Sequence, residues 1–146
     1  MEVNSEEFTL QSLIDLDVVK HQEKLVNVSV QATGEYKLRD QLTQLNETWK
    51  SVNFGTKTYK EKDGVFQLIE IDVVYTALDE GQATINMILG NRYVRVMRSE
   101  AELMKKNLQT LSNALDEWVA VQRSWMYLEN IFVSSEIKKT LGKEAA

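Results

Sequence analysis

The feature that most constrains this chain is an unbroken stripe near its C-terminal end. Met104, Leu108, Leu111, Leu115, Trp118, Gln122, Trp125, Glu129 and Phe132 recur there at spacings of 4-3-4-3. That period belongs to a single α-helix, predicted over about residues 99–132, with a continuous contact seam. Two indoles on one stripe need unusually large holes opposite them, so the facing elements must be specially shaped. Aromatic residues at helical spacing are expected in the core, and Trp49, Trp118 and Trp125 are assigned there. The alternative is a partner groove left open when a piece is cut from a longer chain. Gln122 and Glu129 are polar members of the seam, either satisfied register-setting groups or edge positions facing solvent.

The remainder of the chain reads as helices around one change of texture. Leu10, Leu13, Ile14, Leu16 and Val18 predict a short helix ending near His21. A longer one follows through Leu25, Val28, Ala32, Leu38, Leu42, Leu45, Trp49 and Val52. Gly34 and Tyr36 mark a drift in that stripe, where a weakened turn or kink is expected. Gly55 is placed as the C-terminal cap beyond Asn53-Phe54. Thr56, Thr58, Tyr59, Val65, Phe66, Leu68 and Ile69 then favour strand, and Lys62-Asp63-Gly64 is a turn signal between them. Asp72 reads as the N-cap of a helix through Val73, Val74, Ala77, Leu78, Ile85 and Ile88, which Gly90-Asn91 ends. Ser134 or Ser135 would cap a last short helix with Ile137 and Leu141. The fold class is mainly α: an elongated helical bundle with one inserted β-hairpin at about residues 56–69. A single domain is expected over 1–146, with residues 1–8 as a flexible leader.

Composition narrows the function. With 43% apolar and 27% charged residues the chain looks like an ordinary soluble globular protein. The acidic start, Met1-Glu2-Val3-Asn4-Ser5-Glu6-Glu7, has no signal-peptide character, and no membrane span is expected. A net charge of −5 argues against nucleic acid or an anionic membrane as partner, and against a direct hold on a strongly acidic surface such as a microtubule. Cysteine is absent, so no disulfide framework or thiolate zinc site can form. Proline is absent as well, which permits long uninterrupted helices.

No catalytic, cofactor-binding or metal site is expected, and no cofactor. His21 is the sole histidine, so a Ser-His triad or a His-rich metal site cannot be assembled. The glycines fall into neither phosphate-binding pattern. Asp79-Glu80 and Glu100/Glu102 read as solvated charges, since adjacent helix residues do not face one another.

The run Trp118-x-x-x-Gln122-x-x-Trp125-x-Tyr127-Leu128-Glu129-x-Ile131-Phe132 resembles the dynein heavy chain linker region. The likeness extends from about Phe8 to Glu144. It takes in Thr9-Leu10-x-x-Leu13, Ala32-x-x-Glu35-Tyr36-x-Leu38, Trp49, Phe54, the hairpin Tyr59 to Gly64, Leu78-Asp79-Glu80, Gly90-x-x-Tyr93 and Ser134-x-x-Ile137. Glu80, Asn91-Arg92, Met104 and Leu141-Gly142 depart from the family's usual residues and mark a divergent member. The resemblance implies a mechanical lever segment that couples ATP hydrolysis in a motor ring to movement along microtubules. The segment itself would not be an enzyme, although the parent motor would be an ATPase. Its partner would be the remainder of the heavy chain, ring and tail, with no nucleic acid, no membrane and no direct microtubule contact. The implied location is the cytoskeleton, with the cilium axoneme favoured over the cytoplasm because most heavy-chain types work in cilia. A spectrin-like helical scaffold or tethering module is the alternative. The periodicity fits it equally well, whereas the hairpin and the Tyr127-Leu128-Glu129 ending do not.

Overall fold

A computed structural model describes residues 8–134. Residues 1–7 of the expected leader and the C-terminal helix with Ile137 and Leu141 lie outside the described residues. In chain order the elements are α1 (Leu10–Asp15), a 3-10 turn (Val18–His21), α2 (Gln22–Ser51), β1 (Gly55–Thr58), β2 (Phe66–Ile69), α3 (Ile71–Gly90), a second 3-10 turn (Val94–Met97) and α4 (Arg98–Phe132). The protein is mainly α, with one antiparallel hairpin in which Thr56 faces Leu68 and Lys57 faces Gln67.

Thr9 starts α1 through a capping box with Ser12, in which each side chain accepts from the other's backbone N–H. The helix stops at Asp15, and Leu10, Ile14 and Leu16 remain exposed. The first 3-10 turn contains His21, also exposed.

The core is built where α2, α3 and α4 converge. Leu38, Leu42 and Leu45 of α2 meet Val74, Leu78, Ile85 and Ile88 of α3, and Ala101, Leu108, Leu115 and Val119 of α4. Val94 and Met97 of the second 3-10 turn complete it, and Trp49 packs half-buried against its edge. The Tyr75 hydroxyl adds a polar tie from α3 to α4, donating to Asp116 at 2.7 Å, and that bond holds the phenol above its ordinary pKa.

The expected α2 stripe is confirmed from Leu38 onward and fails before it. Leu25 and Val28 are 50% and 59% exposed, and Ala32 is exposed too. Among the described residues nothing covers that half of the helix as α3 covers the other. Gly34 does not interrupt α2, which is continuous from Gln22 to Ser51. It gives room instead: a Cβ there would sit 2.4 Å from the Tyr93 ring, so the aromatic lies directly on the helix backbone.

Two cap assignments are corrected. Gly55 is the first residue of β1, opposite Ile69, and α2 ends at an extended Val52. Asp72 is inside the first turn of α3. The N-cap position belongs to Glu70, held left-handed at φ 55°, with no side-chain cap bond. Chain reversal from β2 into α3 needs a left-handed residue here, and that demand outranks capping chemistry. Asp72 still faces the positive end of the helix dipole.

Candidate functional site

The C-terminal half of the α4 seam is where chemistry-bearing side chains gather, and they grip the hairpin. Gln122 reaches the outer edge of β2 with both ends of its amide. Its Oε1 accepts from the Leu68 N–H at 2.7 Å, and its Nε2 donates to the Leu68 carbonyl at 3.1 Å. Thus a single side chain substitutes for a neighbouring strand and satisfies two of the backbone groups that the hairpin edge turns outward. Inserted this way, Leu68 is 5% exposed and joins the core.

Two turns further along α4, Glu129 receives three donors. Lys60 and Lys62 approach its two oxygens at 2.6 and 2.5 Å, and the Tyr59 hydroxyl donates at 3.1 Å. Lys60 also bonds Asn130 at 2.5 Å. The glutamate side chain is only 10% exposed, so these partners replace nearly all its water. The hydrogen bonds from Lys60 and Lys62, helped by Tyr59, hold its carboxyl down at about 2. The same bond to Glu129 is the main reason the Lys60 ammonium is held above its ordinary value, with Tyr59 next. Tyr59 itself is 4% exposed and meets Trp125 edge-on, ring centroids 4.9 Å apart.

The hairpin tip carries backbone strain of its own. Lys60 and Glu61 are both left-handed, at φ 48° and 56°, in the turn closed by the Lys62 N–H on the Tyr59 carbonyl. A residue with a Cβ loses about 1–2 kcal/mol in that conformation. Gly64, at φ 77°, takes the next positive-φ position without that penalty. The expected Lys62-Asp63-Gly64 turn is present, but it is the second of two. The strands are accordingly shorter than expected, and Tyr59 and Val65 close the loop through a 2.9 Å backbone bond.

Both tryptophans of the expected core stripe are corrected. Trp118 is 55% and Trp125 41% exposed, while Val119 is 6% exposed and Met126 is half-buried. The reason is geometric. A straight helix turns once in 3.6 residues, so a strict seven-residue repeat drifts by about 20° per heptad. Ala101, Leu108, Leu115, Gln122 and Glu129, themselves seven apart, drift from the centre of the contact face toward its edge but stay on it, and the inward flank passes from Met104 and Leu111 to Val119 and Met126. The indoles are left on the outer flank, where Trp118 leans on Phe54 with centroids 6.4 Å apart. With Val65, Phe66, Val121 and Gln122 they wall a shallow apolar groove between hairpin and helix. The open choice for Gln122 and Glu129 resolves as satisfied groups. Val119 and Met126 were findable by stepping 3.6 residues instead of 3.5.

The acidic pairs are separated by ordinary surface chemistry. Glu100 and Glu102 lie 3.8 and 3.7 Å from Arg39 and Arg98, while Asp79 and Glu80 are exposed. Among the described residues no group of three or more His, Asp or Glu side chains could hold a metal ion.

This is a helical packing module in which polar side chains fasten a small sheet to the longest helix. The sequence pattern that matches it is Dynein heavy chain, N-terminal region 2, over residues 1–146. The chain belongs to that family. It is 32% identical over 142 residues to Dynein axonemal heavy chain 2 of Mus musculus, covering 97% of this chain. Against the Dynein-1-beta heavy chain, flagellar inner arm I1 complex, of Chlamydomonas reinhardtii it is 32% identical over 143 residues, again 97% of this chain. The chain spans 3% of the length of each of these relatives. No solved structure matches.

Proposed function

We propose that this chain is a non-catalytic lever segment of a dynein heavy chain, working in the ciliary axoneme and carrying force between an ATPase ring and the tail. Family membership across residues 1–146 is the observation that carries the reading. The axonemal and flagellar relatives support the location. The fold suits the role physically. Helices of 30 and 35 residues, about 45 and 50 Å long, share one close-packed core. Such an interior transmits strain in preference to absorbing it. The partner is then the rest of the heavy chain, and the chemistry of ATP and the microtubule contact belong to other parts of it.

The test is made in an intact heavy chain carrying this segment, by softening the core with Leu115→Ala. ATPase rate and microtubule gliding speed are measured on the same preparation, with the parent as control. Gliding should fall several times more than ATPase. Equal losses would point to ring damage, and undiminished gliding would mean the segment bears no load and favour a tethering module.

A further inference from the structure

The hairpin is tied together by its own backbone but tied to the helical body through side chains. Backbone hydrogen bonds join β1 to β2. Attachment to α4 runs through the Gln122 amide on Leu68, the Glu129 carboxylate on Tyr59, Lys60 and Lys62, and the ring contacts of Phe54 and Tyr59. Of the fifteen buried hydrophobic side chains among the described residues, it supplies Tyr59 and Leu68. Phe66 is 67% exposed. A two-stranded hairpin is marginal by itself in water, so it persists because these side chains hold it.

Its boundaries are non-helical junctions beside two residues, Val52 and Ile71, that stay packed against the core. On one side α2 stops at Ser51 and the chain runs extended from Val52. On the other, Glu70 turns left-handed immediately before α3. The far end is closed by the hairpin's own turn, with Lys60 and Glu61 left-handed under the Lys62 N–H bond to the Tyr59 carbonyl, so it can move without being remade.

We propose that the hairpin Gly55–Ile69 is a releasable strap, which opens from α4 as one unit about its Val52 and Glu70 junctions while α2, α3 and the N-terminal two-thirds of α4 stay packed. Opening frees Gln122, Trp125 and Glu129 together, because all three are engaged by the same fifteen-residue segment. The strap is a property of the fold and stands whether or not the segment carries load.

Native-state amide exchange followed by NMR on the 146-residue chain tests it. Leu68 N–H, bonded to Gln122, reports the strap, and the amides of Leu78, Ile85 and Leu108 report the body. In the parent, Leu68 should exchange at least tenfold faster than the body amides, through an opening smaller than global unfolding. Glu129→Gln should speed Leu68 by about tenfold more, leaving the body amides unchanged. Lys62→Ala removes one of the donors that hold the strap to Glu129 and should speed Leu68 several-fold, again with the body unchanged. Acceleration of strap and body by the same factor in Glu129→Gln would show that the hairpin leaves only with the whole fold, and overturn the proposal. If Glu129→Gln does not fold, Lys62→Ala decides alone: selective acceleration of Leu68 upholds the strap, and no selective change removes it.

Discussion

One helix, α4, carries two halves of the same seam, and they are held by different forces. From Ala101 to Leu115 the seam is apolar, with Ala101, Leu108 and Leu115 at most 2% exposed against α2 and α3. From Trp118 to Glu129 the same spacing presents an amide and a carboxylate to a hairpin, with the indoles outside. The first half gains by removing apolar surface from water. The second gains by satisfying backbone and charge partners that would otherwise be lost to solvent. Periodicity therefore locates a contact stripe without saying what covers it or why it holds.

The largest expected difference between the halves comes from truncation. Leu115→Ala should cost about 2–5 kcal/mol, since the side chain is 1% exposed and leaves a cavity between helices. Trp118→Ala should cost about 1 kcal/mol despite the larger side chain, because more than half of it is already in water. Urea unfolding monitored by circular dichroism gives both values. Equal costs would erase the distinction between the two halves.

Gln122→Leu comes next. It keeps the size of the side chain but leaves the Leu68 N–H and carbonyl without partners, at a cost of about 1–3 kcal/mol. The loss should appear in hairpin chemical shifts before it appears in helix content. Gln122→Glu retains the carbonyl-like acceptor and loses the donor, so it should fall between parent and leucine. A neutral Gln122→Leu would mean that the amide is not what fastens β2.

The Glu129 clasp has a sign in pH. Its carboxyl is held at about 2 in the folded chain against an ordinary 4.5, so the unfolded state takes up a proton first. Its contribution to stability is complete above 4.5, declines as pH falls toward about 2, and is lost below that. A carboxyl-carbon NMR titration should place the Glu129 midpoint near 2, and Lys60→Ala with Lys62→Ala should move it up toward 4.5. A midpoint already near 4.5 in the parent would mean the two lysines do not hold the carboxylate.

Much of this architecture was legible because local chemistry and tertiary packing agree. The α4 span, the Leu38–Trp49 stripe, the hairpin and the Gly90-Asn91 stop all follow from periodicity and turn residues. What could not be read depends on distant partners or on backbone demands. Nothing in Lys60-Glu61 signals a left-handed turn, because the demand comes from the tight turn at the hairpin tip, closed by the Lys62 N–H on the Tyr59 carbonyl, and not from the residues that fill it. Glu70 conceals its left-handed φ for the same kind of reason. The reading of Trp118 and Trp125 as core failed on a small error in period that accumulates along a long helix. The role of Gln122 was open in sequence because an amide on a seam can face water, another helix or a strand edge with equal ease.

The smallest expected effect concerns α2, which repeats the contrast in a simpler form. Its Leu38–Leu45 stretch is buried, whereas Val28, at an equivalent spacing, is 59% exposed. Val28→Gln should therefore change the stability of the 146-residue chain by about 0.5 kcal/mol or less. Its sign should be slightly favourable, because glutamine keeps rotamer freedom in a helix that β-branched valine loses. The same substitution can then be made in a longer heavy chain. If a neighbouring segment packs on that half of α2, burying an amide there without a partner costs about 1–3 kcal/mol, and the sign reverses. A loss of that size already in the 146-residue chain would show that this half is packed within the chain itself, and the contrast along α2 would collapse. An unchanged small gain in the longer chain would leave the exposed half of α2 facing water in both settings.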